Sequence, residues 1–235
     1  MADKDFGLDA CSRLNSRTNF PWLLSNLCKI NGSKLVNTKE IEVVEKFGLR
    51  FGFMGLAEIG WITTLNCIDL DEVVYEDFVS CANRLAIELR EVYKCDYVIA
   101  LTHMRTPNDQ RLCEEANGID LVLGGHDHVF HIQHFPKCLF IKSGTDFQNL
   151  SEIIVKKASP EEVGSIKVEQ TLVRHEEVIT GQEYIYPLGT NLKVTVIKHD
   201  ITRDTVPDPK IQKVVNDYDH KLQEKMKKTL FRCDP

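Results

Sequence analysis

Asp120-Leu-Val-Leu-Gly-Gly-His126-Asp-His128 is the most informative stretch of this chain of 235 residues. An apolar run that predicts a buried strand leads into two glycines, and two imidazoles follow, two positions apart. Side chains at i and i+2 of an extended segment point to the same side, and glycine lets the backbone pass where a Cβ atom would clash. The pattern therefore predicts that His126 and His128 face one metal ion or two adjacent ones.

A second apolar run, Cys95-Asp-Tyr-Val-Ile-Ala-Leu-Thr-His103, also ends in histidine. Apolar residues at helical spacing predict a helix from Val73 to Tyr93 before this run, and Asn108-Asp109 predicts the start of a short helix through Ala116 after it. Helices alternating with strands are typical of an α/β fold, in which ligands bind at the carboxyl ends of the strands. We therefore expect His103, His126 and His128 to converge on one site.

Two further histidines, His131 and His134, lie just downstream, but they do not complete a zinc hydrolase pattern of the form His-x-His-x-Asp-His. The required aspartate would stand at position 130, where the chain has Phe130. Alternation with apolar neighbours instead predicts that His131 and His134 lie on the exposed face of a strand.

The spacing of apolar residues elsewhere in the chain predicts a change from alternating helices and strands to consecutive strands. Residues 41–58 predict two strands joined at Lys46–Gly48, and a charged helix with an apolar stripe is expected from Asp208 to Leu230. Between them, residues 138–200 predict consecutive strands with few helices: Cys138–Ser143, Glu152–Lys157, Ile166–Arg174 and Leu192–Asp200. We therefore expect a sandwich of two sheets flanked by helices.

Composition narrows the class of protein. Hydrophobic residues make up 43% of the chain, the formal net charge is −6, and the isoelectric point is near 5.8. An acidic balance argues against nucleic-acid binding, and no run approaches the roughly 18 apolar residues that span a membrane. The beginning, Met-Ala-Asp-Lys-Asp, lacks the apolar core of a signal peptide, and the eight cysteines show no Cys-x-x-Cys spacing. These features predict a cytoplasmic protein with reduced, buried cysteines.

Several stretches together resemble the catalytic domain of the 5′-nucleotidase family within the calcineurin-like metallophosphoesterases. They span about the first 150 residues and are Asp5-Phe-Gly-Leu-Asp9, Phe20-Pro-Trp-Leu-Leu-Ser-Asn26, Gly52-Phe-Met-Gly-Leu56, Ala100-Leu-Thr-His-Met-Arg105 with Asn108-Asp109, Gly118-Ile-Asp-Leu-Val-Leu-Gly-Gly-His-Asp-His128 and Lys142-Ser-Gly-Thr-Asp146.

The resemblance implies an α/β sandwich of two mixed sheets flanked by helices, which hydrolyses a phosphate monoester with two divalent metal ions, zinc, manganese or similar. His103 and His126 would serve the second metal ion and His128 the first. The substrate would be a small phosphorylated molecule, either a nucleotide or a sugar phosphate.

The family's Asp-x-His, Gly-Asp and Gly-Asn-His motifs are absent from the 235 residues. We therefore expect residues 1–200 to be a partial metallophosphoesterase domain and residues 201–235 to be a linker helix toward an absent C-terminal 5′-nucleotidase domain. No catalytic or substrate-binding residue can be assigned, and we expect weak or single-metal binding and no turnover. Three hypotheses stay open: a truncated 5′-nucleotidase-like phosphatase, a catalytically dead interaction module, and a sugar-phosphate phosphatase of the same superfamily.

Overall fold

The computed structural model describes residues 8–64, 70–157, 172–174, 177–179, 181–185 and 192–227. The chain divides into two compact units, Met1–Asp200 and Ile201–Pro235. The helices are α1 (Leu8–Asn15), α2 (Ile59–Thr64), α3 (Phe78–Glu91), α4 (Thr106–Glu115) and α5 (Pro209–Met226). The strands are β1 (Leu27–Lys29), β2 (Ile41–Lys46), β3 (Leu49–Ala57), β4 (Val73–Tyr75), β5 (Tyr97–His103), β6 (Leu121–Gly124), β7 (Phe130–His134), β8 (Leu139–Ser143), β9 (Asn149–Lys157), β10 (Leu172–Arg174), β11 (Glu177–Ile179), β12 (Gly181–Ile185) and β13 (Leu192–Asp200).

A six-stranded mixed sheet with the order β2-β3-β5-β6-β8-β7 forms the centre of the first unit. The four inner strands, β3, β5, β6 and β8, are parallel, and the edge strands β2 and β7 are antiparallel to their neighbours. The α/β class that the sequence predicted is confirmed, as are the two strands joined at Lys46–Gly48.

Helix α3 packs on one face of this sheet. Its buried side chains recur at helical spacing and join the core formed by the inner strands and α4: Phe78, Val79, Cys81, Ala82, Leu85, Ala86 and Leu89. The helix begins at Phe78 and not at Val73, as the periodicity predicted. Residues Val73–Tyr75 are strand β4, paired with β1, and the Asp77 carboxylate then caps α3 by accepting from the Val79 and Ser80 backbone N–H groups.

The opposite face of the mixed sheet packs against a second sheet with the order β12-β13-β9. Val194 and Val196 of β13 are buried in one cluster with Ile99, Leu121 and Ile141 of the mixed sheet. The predicted sandwich is therefore confirmed. The described strands of the second sheet are antiparallel and not mixed. For β12 and β13 the six residues between them are too few for a parallel crossover. Of the predicted strand Ile166–Arg174, residues 166–171 lie outside the described residues.

Two local predictions need correction. Helix α4 begins at Thr106 with Pro107 in its first turn, two residues before the predicted start, since proline is well tolerated there. His131 and His134 lie on strand β7 as predicted, but both are half-buried and not exposed. The ring centroids of His131 and Phe140 are 5.4 Å apart, and burial lowers the pKa of His134.

In the second unit, Asp208 caps helix α5, and the apolar stripe of this helix is exposed. None of the described helices combines the length and the apolarity that crossing a bilayer requires. Among the described cysteines, Cys28 is half-buried and the others are buried: Cys11, Cys81, Cys95, Cys113 and Cys138.

Candidate metal centre

The carboxyl ends of the four parallel strands meet at one edge of the mixed sheet. The register pairs Ala57 with His103, Thr102 with Gly124, and Gly124 with Lys142. His103 is therefore the last residue of β5, and the Gly-Gly-His segment continues directly from the end of its neighbour β6. Parallel α/β sheets bind ligands at this edge.

His103 and His126 are in contact at this edge. The Nδ1 atom of His126 lies 3.1 Å from the Nε2 atom of His103, and the two rings meet edge to face with centroids 5.0 Å apart. Two nitrogens that each bind one zinc ion at about 2.0–2.1 Å lie about 3.3 Å apart in a tetrahedral site and about 2.9 Å apart at a right angle. The observed separation falls between these values, and at this distance one ring nitrogen donates a hydrogen bond to the other.

The loop that carries His126 depends on the absence of Cβ atoms before it. A Cβ atom at Gly125 would lie 3.0 Å from His103 Nδ1, and one at Gly124 would lie 2.9 Å from the Phe140 ring. The turn itself is made by His126, whose φ of 74° is in the left-handed region that non-glycine residues rarely adopt. Backbone conformations of this kind cluster at functional sites.

His128 is exposed, two residues beyond His126. Strand β6 ends at Gly124 and His126 is left-handed, so the segment is not extended and the argument that i and i+2 share one side does not apply here. In the part of the chain that the structure describes, no group of three or more His, Cys, Asp or Glu side chains is placed to hold a metal ion. The described residues thus bring two of the three predicted ligands together, and a two-metal centre does not fit them without further ligands.

The segments that carry the two imidazoles contact an ionic cluster of Lys142, Asp109 and Asp127, in which Lys142 and Asp109 are buried and Asp127 is half-buried. The Lys142 ammonium is 3.0 Å from a carboxylate oxygen of each aspartate and is 1% exposed as a side chain. Asp109 also accepts from the Thr102 hydroxyl at 2.5 Å. Asp127 accepts from the Thr106 backbone N–H at 2.5 Å and from its hydroxyl at 2.6 Å.

The two carboxylates of this cluster differ in acidity, because one is more deeply buried and the other accepts more hydrogen bonds. Burial raises the pKa of Asp109 to about 6, and the neighbouring Asp127 adds to this, although Thr102 and Lys142 oppose it. Burial also disfavours the charged form of Asp127, but hydrogen bonds from Thr106 and Lys142 hold its pKa well below the usual range. Asp127 therefore stays ionised at neutral pH, and Asp109 titrates at mildly acidic pH.

A third acidic residue, Glu58, follows the end of β3 at the same edge. Its side chain is 4% exposed and accepts from the Arg105 backbone N–H at 3.1 Å and from the Asn108 side chain. The Arg105 guanidinium lies 3.1 Å from the other carboxylate oxygen. Glu58 thereby fixes the residues that follow His103.

Sequence reasoning did not assign a role to Lys142, Asp127 or Glu58. A lysine that ends the apolar run of β8 was the available signal, because a buried lysine needs anionic or carbonyl partners.

Asn26, which belongs to a stretch that resembles the family, has a structural role. Its side-chain amide donates to the Ala57 and Glu76 carbonyls and accepts from the Ala57 N–H.

No protein-family model matches the chain. In sequence, 57 residues are 36% identical to the trifunctional nucleotide phosphoesterase protein YfkN of Bacillus subtilis strain 168, a match that covers 24% of this chain and 4% of that protein.

In structure, the chain resembles the calcineurin-like phosphoesterase YfkN from Bacillus subtilis, with a TM-score of 0.66 at 15% identity over 97% of this chain and 70% of that one. It also resembles a 5′-nucleotidase precursor from Thermus thermophilus, with a TM-score of 0.66 at 14% identity over 97% of this chain and 43% of that one. For the NAD nucleotidase NadN of Haemophilus influenzae the TM-score is 0.56 at 18% identity, over 68% of this chain and 35% of that one. The chain thus spans less than half of the length of the two nucleotidases.

These neighbours confirm, at the level of the fold, the resemblance that the sequence motifs indicated. The chain has the fold of the calcineurin-like phosphoesterases.

Proposed function

We propose that this chain supplies part of the metal centre of a phosphomonoester hydrolase of the 5′-nucleotidase type. The observation that carries the proposal is the 3.1 Å separation of the His126 and His103 ring nitrogens at the carboxyl edge of the parallel strands. In the proposal these two residues hold one divalent cation, and His128 serves a second cation when the remaining ligands are present.

The residues around the two imidazoles support this role. Lys142 is fully engaged by its carboxylate and carbonyl acceptors, and Glu58 is engaged by Arg105 and Asn108. These groups therefore hold the loops that carry His103 and His126, whose ring nitrogens are the cation ligands in this proposal. A cation bound there would supply Lewis acidity for a phosphoryl oxygen and would acidify a coordinated water.

Nucleotide monophosphates are the substrate class that we favour over sugar phosphates. The relative in sequence is named a nucleotide phosphoesterase, and two of the structural neighbours are named nucleotidases. We further propose that residues 1–200 are a partial metallophosphoesterase domain and that residues 201–235 lead toward a substrate-recognition domain. On this proposal the 235-residue chain alone binds a cation weakly and does not turn over substrate.

The experiment is a calorimetric titration of the zinc-loaded chain with AMP, adenosine and glucose 6-phosphate, repeated on the metal-free chain. We expect binding of AMP that requires zinc, weaker binding of glucose 6-phosphate and no binding of adenosine, because the phosphate is the group that would contact the cation. His126→Ala should abolish zinc-dependent binding of AMP. The matched control is His134→Ala, because His134 pairs with Leu139 at the opposite end of β8 and should leave AMP binding unchanged.

Binding of AMP that is equal with and without zinc, or binding of adenosine as strong as that of AMP, would contradict the proposed function. A parallel assay measures phosphate release from AMP and from p-nitrophenyl phosphate with zinc, manganese or cobalt. Release that His126→Ala abolishes would support the phosphatase but refute the inactivity of the isolated chain.

A further inference from the structure

Lys142 is a buried cation that contacts neither the substrate nor the metal ion in the proposed chemistry. It lies near the carboxyl end of β8, and its Nζ atom donates to the Met104 and Gly125 carbonyls, each at 2.9 Å. The same atom lies 3.0 Å from carboxylate oxygens of Asp109 and Asp127. Burial of an ammonium group is costly unless it is paired in this way.

The acceptors of Lys142 lie in the two segments that carry the paired histidines. Met104 directly follows His103, and Gly125 and Asp127 flank His126. One ammonium therefore joins the backbone carbonyl after the first imidazole to the backbone carbonyl before the second and to the Asp127 side chain after it.

Helix α4 also makes hydrogen bonds with the two segments that carry the histidines. Its first residue, Thr106, donates twice to Asp127, and its Asp109 accepts from Thr102, the residue before His103. The end of β5, the start of α4 and the histidine loop are thus held by one connected set of polar contacts centred on Lys142.

These polar contacts restrain the unusual backbone conformation of His126. A residue with φ of 74° relaxes to a negative φ unless its surroundings prevent it, and the contacts of Gly125 and Asp127 with Lys142 restrain both neighbours of His126.

We propose that Lys142 is a positioning residue, which keeps the His103 and His126 imidazoles at the separation at which they share one cation. The inference rests on the proposed function only for what the two imidazoles bind. Their mutual placement is a property of the metal-free protein and can be measured there.

The test compares the wild type with Lys142→Met, which keeps an unbranched side chain of similar size and removes the charge. The first measurement is the proton–proton Overhauser contact between the two imidazole rings in metal-free protein. The second is the affinity for Co²⁺ at a temperature at which circular dichroism shows each variant folded. The matched control is Leu112→Ala, a fully buried position of α4 at which the truncation lowers stability and removes no hydrogen bond or ion pair of the cluster.

We expect Lys142→Met to lose the ring-to-ring contact and to bind Co²⁺ at least tenfold more weakly, whereas Leu112→Ala keeps both. If Lys142→Met does not fold, Lys142→Met/Asp109→Asn removes one buried carboxylate with the ammonium and should fold while still lacking the contact. A ring-to-ring contact that persists without the ammonium overturns the positioning role, whatever the metal affinity. A contact that depends on Lys142 in a wild type that binds no Co²⁺ supports the positioning role and contradicts the proposed function instead.

Discussion

Thr102 of β5 and Gly124 of β6 are Cα partners in parallel register, and this pairing brings together two histidines that lie 23 residues apart in the chain. His103 follows Thr102 directly, and His126 follows Gly124 after one further glycine. Because parallel strands end at a common edge, the contact between the rings follows from strand register and from the left-handed turn at His126.

The backbone of His126 predicts an inversion of the usual ranking of alanine and glycine. At a φ of 74°, alanine is strained by about 1 kcal/mol and glycine is not. We therefore expect His126→Gly to be more stable than His126→Ala by about 1 kcal/mol in urea unfolding. The control pair is His131→Gly and His131→Ala on strand β7, where glycine should be the less stable. If the alanine variant is the more stable one at both positions, the left-handed turn at His126 is contradicted.

Gly125 predicts a separate test of the contact between the imidazoles. Gly125→Ala adds a Cβ atom 3.0 Å from His103 Nδ1, so the ring must move. We expect the Co²⁺ affinity, measured by visible absorption, to fall by about tenfold. This is the smaller end of the loss that follows when groups supporting a metal ligand are disturbed. Gly60→Ala is the control, because its Cβ atom would meet nothing closer than 3.4 Å. Unchanged affinity in Gly125→Ala would show that the His103 ring does not bind the cation in this position.

The raised pKa of Asp109, about 6, predicts a pH dependence of stability. The folded pKa lies above the unfolded value of about 3.9, so the stabilising contribution of this group is fully present below about pH 4 and is lost as pH rises through 6. Between pH 5 and 7 this amounts to a loss of about 1 kcal/mol in the free energy of unfolding. Asp109→Asn should flatten the profile by that amount.

Asp120, whose pKa burial also raises to about 6 against the opposing Arg90, adds a contribution of the same sign to the wild type. The slope should therefore be reduced and not abolished in Asp109→Asn. The exposed Asp204→Asn serves as the control. A variant profile as steep as that of the wild type would mean that Asp109 does not titrate between pH 4 and 6 in the folded protein.

We expect Asn26 to contribute to the stability of the fold and not to metal binding. Asn26→Ala removes three hydrogen bonds to the Ala57 and Glu76 backbone and leaves the Ala57 N–H buried without this acceptor. We expect the free energy of unfolding to fall by roughly 2–4 kcal/mol, while Co²⁺ affinity of the folded protein is unchanged. Asn31→Ala, at an exposed turn, should cost less than about 1 kcal/mol. Loss of metal binding in folded Asn26→Ala protein would assign this residue to the site.

Local pattern was sufficient to predict the parallel strands and the contact between His103 and His126. Apolar runs that end in histidine specify both strand ends, and short αβ connections place those ends at one edge. The start of α3 could not be predicted from the local pattern of apolar residues. Val73–Tyr75 continues the apolar periodicity of the helix, but these residues pair with β1, more than forty residues earlier in the chain.

The surroundings of the imidazoles could not be predicted in the same way. Lys142 takes its acceptors from four residues at sequence distances of 15–38, and no spacing rule connects them. The left-handed turn at His126 also could not be read from residue type, since an isolated histidine after two glycines permits an extended continuation. That turn is the reason that the predicted alternation of His126 and His128 on one side does not describe the loop.

X-ray absorption of the zinc-loaded chain tests most directly whether His103 and His126 share one cation. The account predicts two imidazole nitrogens at about 2.0–2.1 Å in the wild type and one in His126→Ala, with oxygen ligands completing the shell. The His134→Ala control should match the wild type. A sulfur shell at about 2.3 Å, or two imidazoles retained in His126→Ala, would contradict the account, because the zinc would then be bound by cysteines or by other histidines.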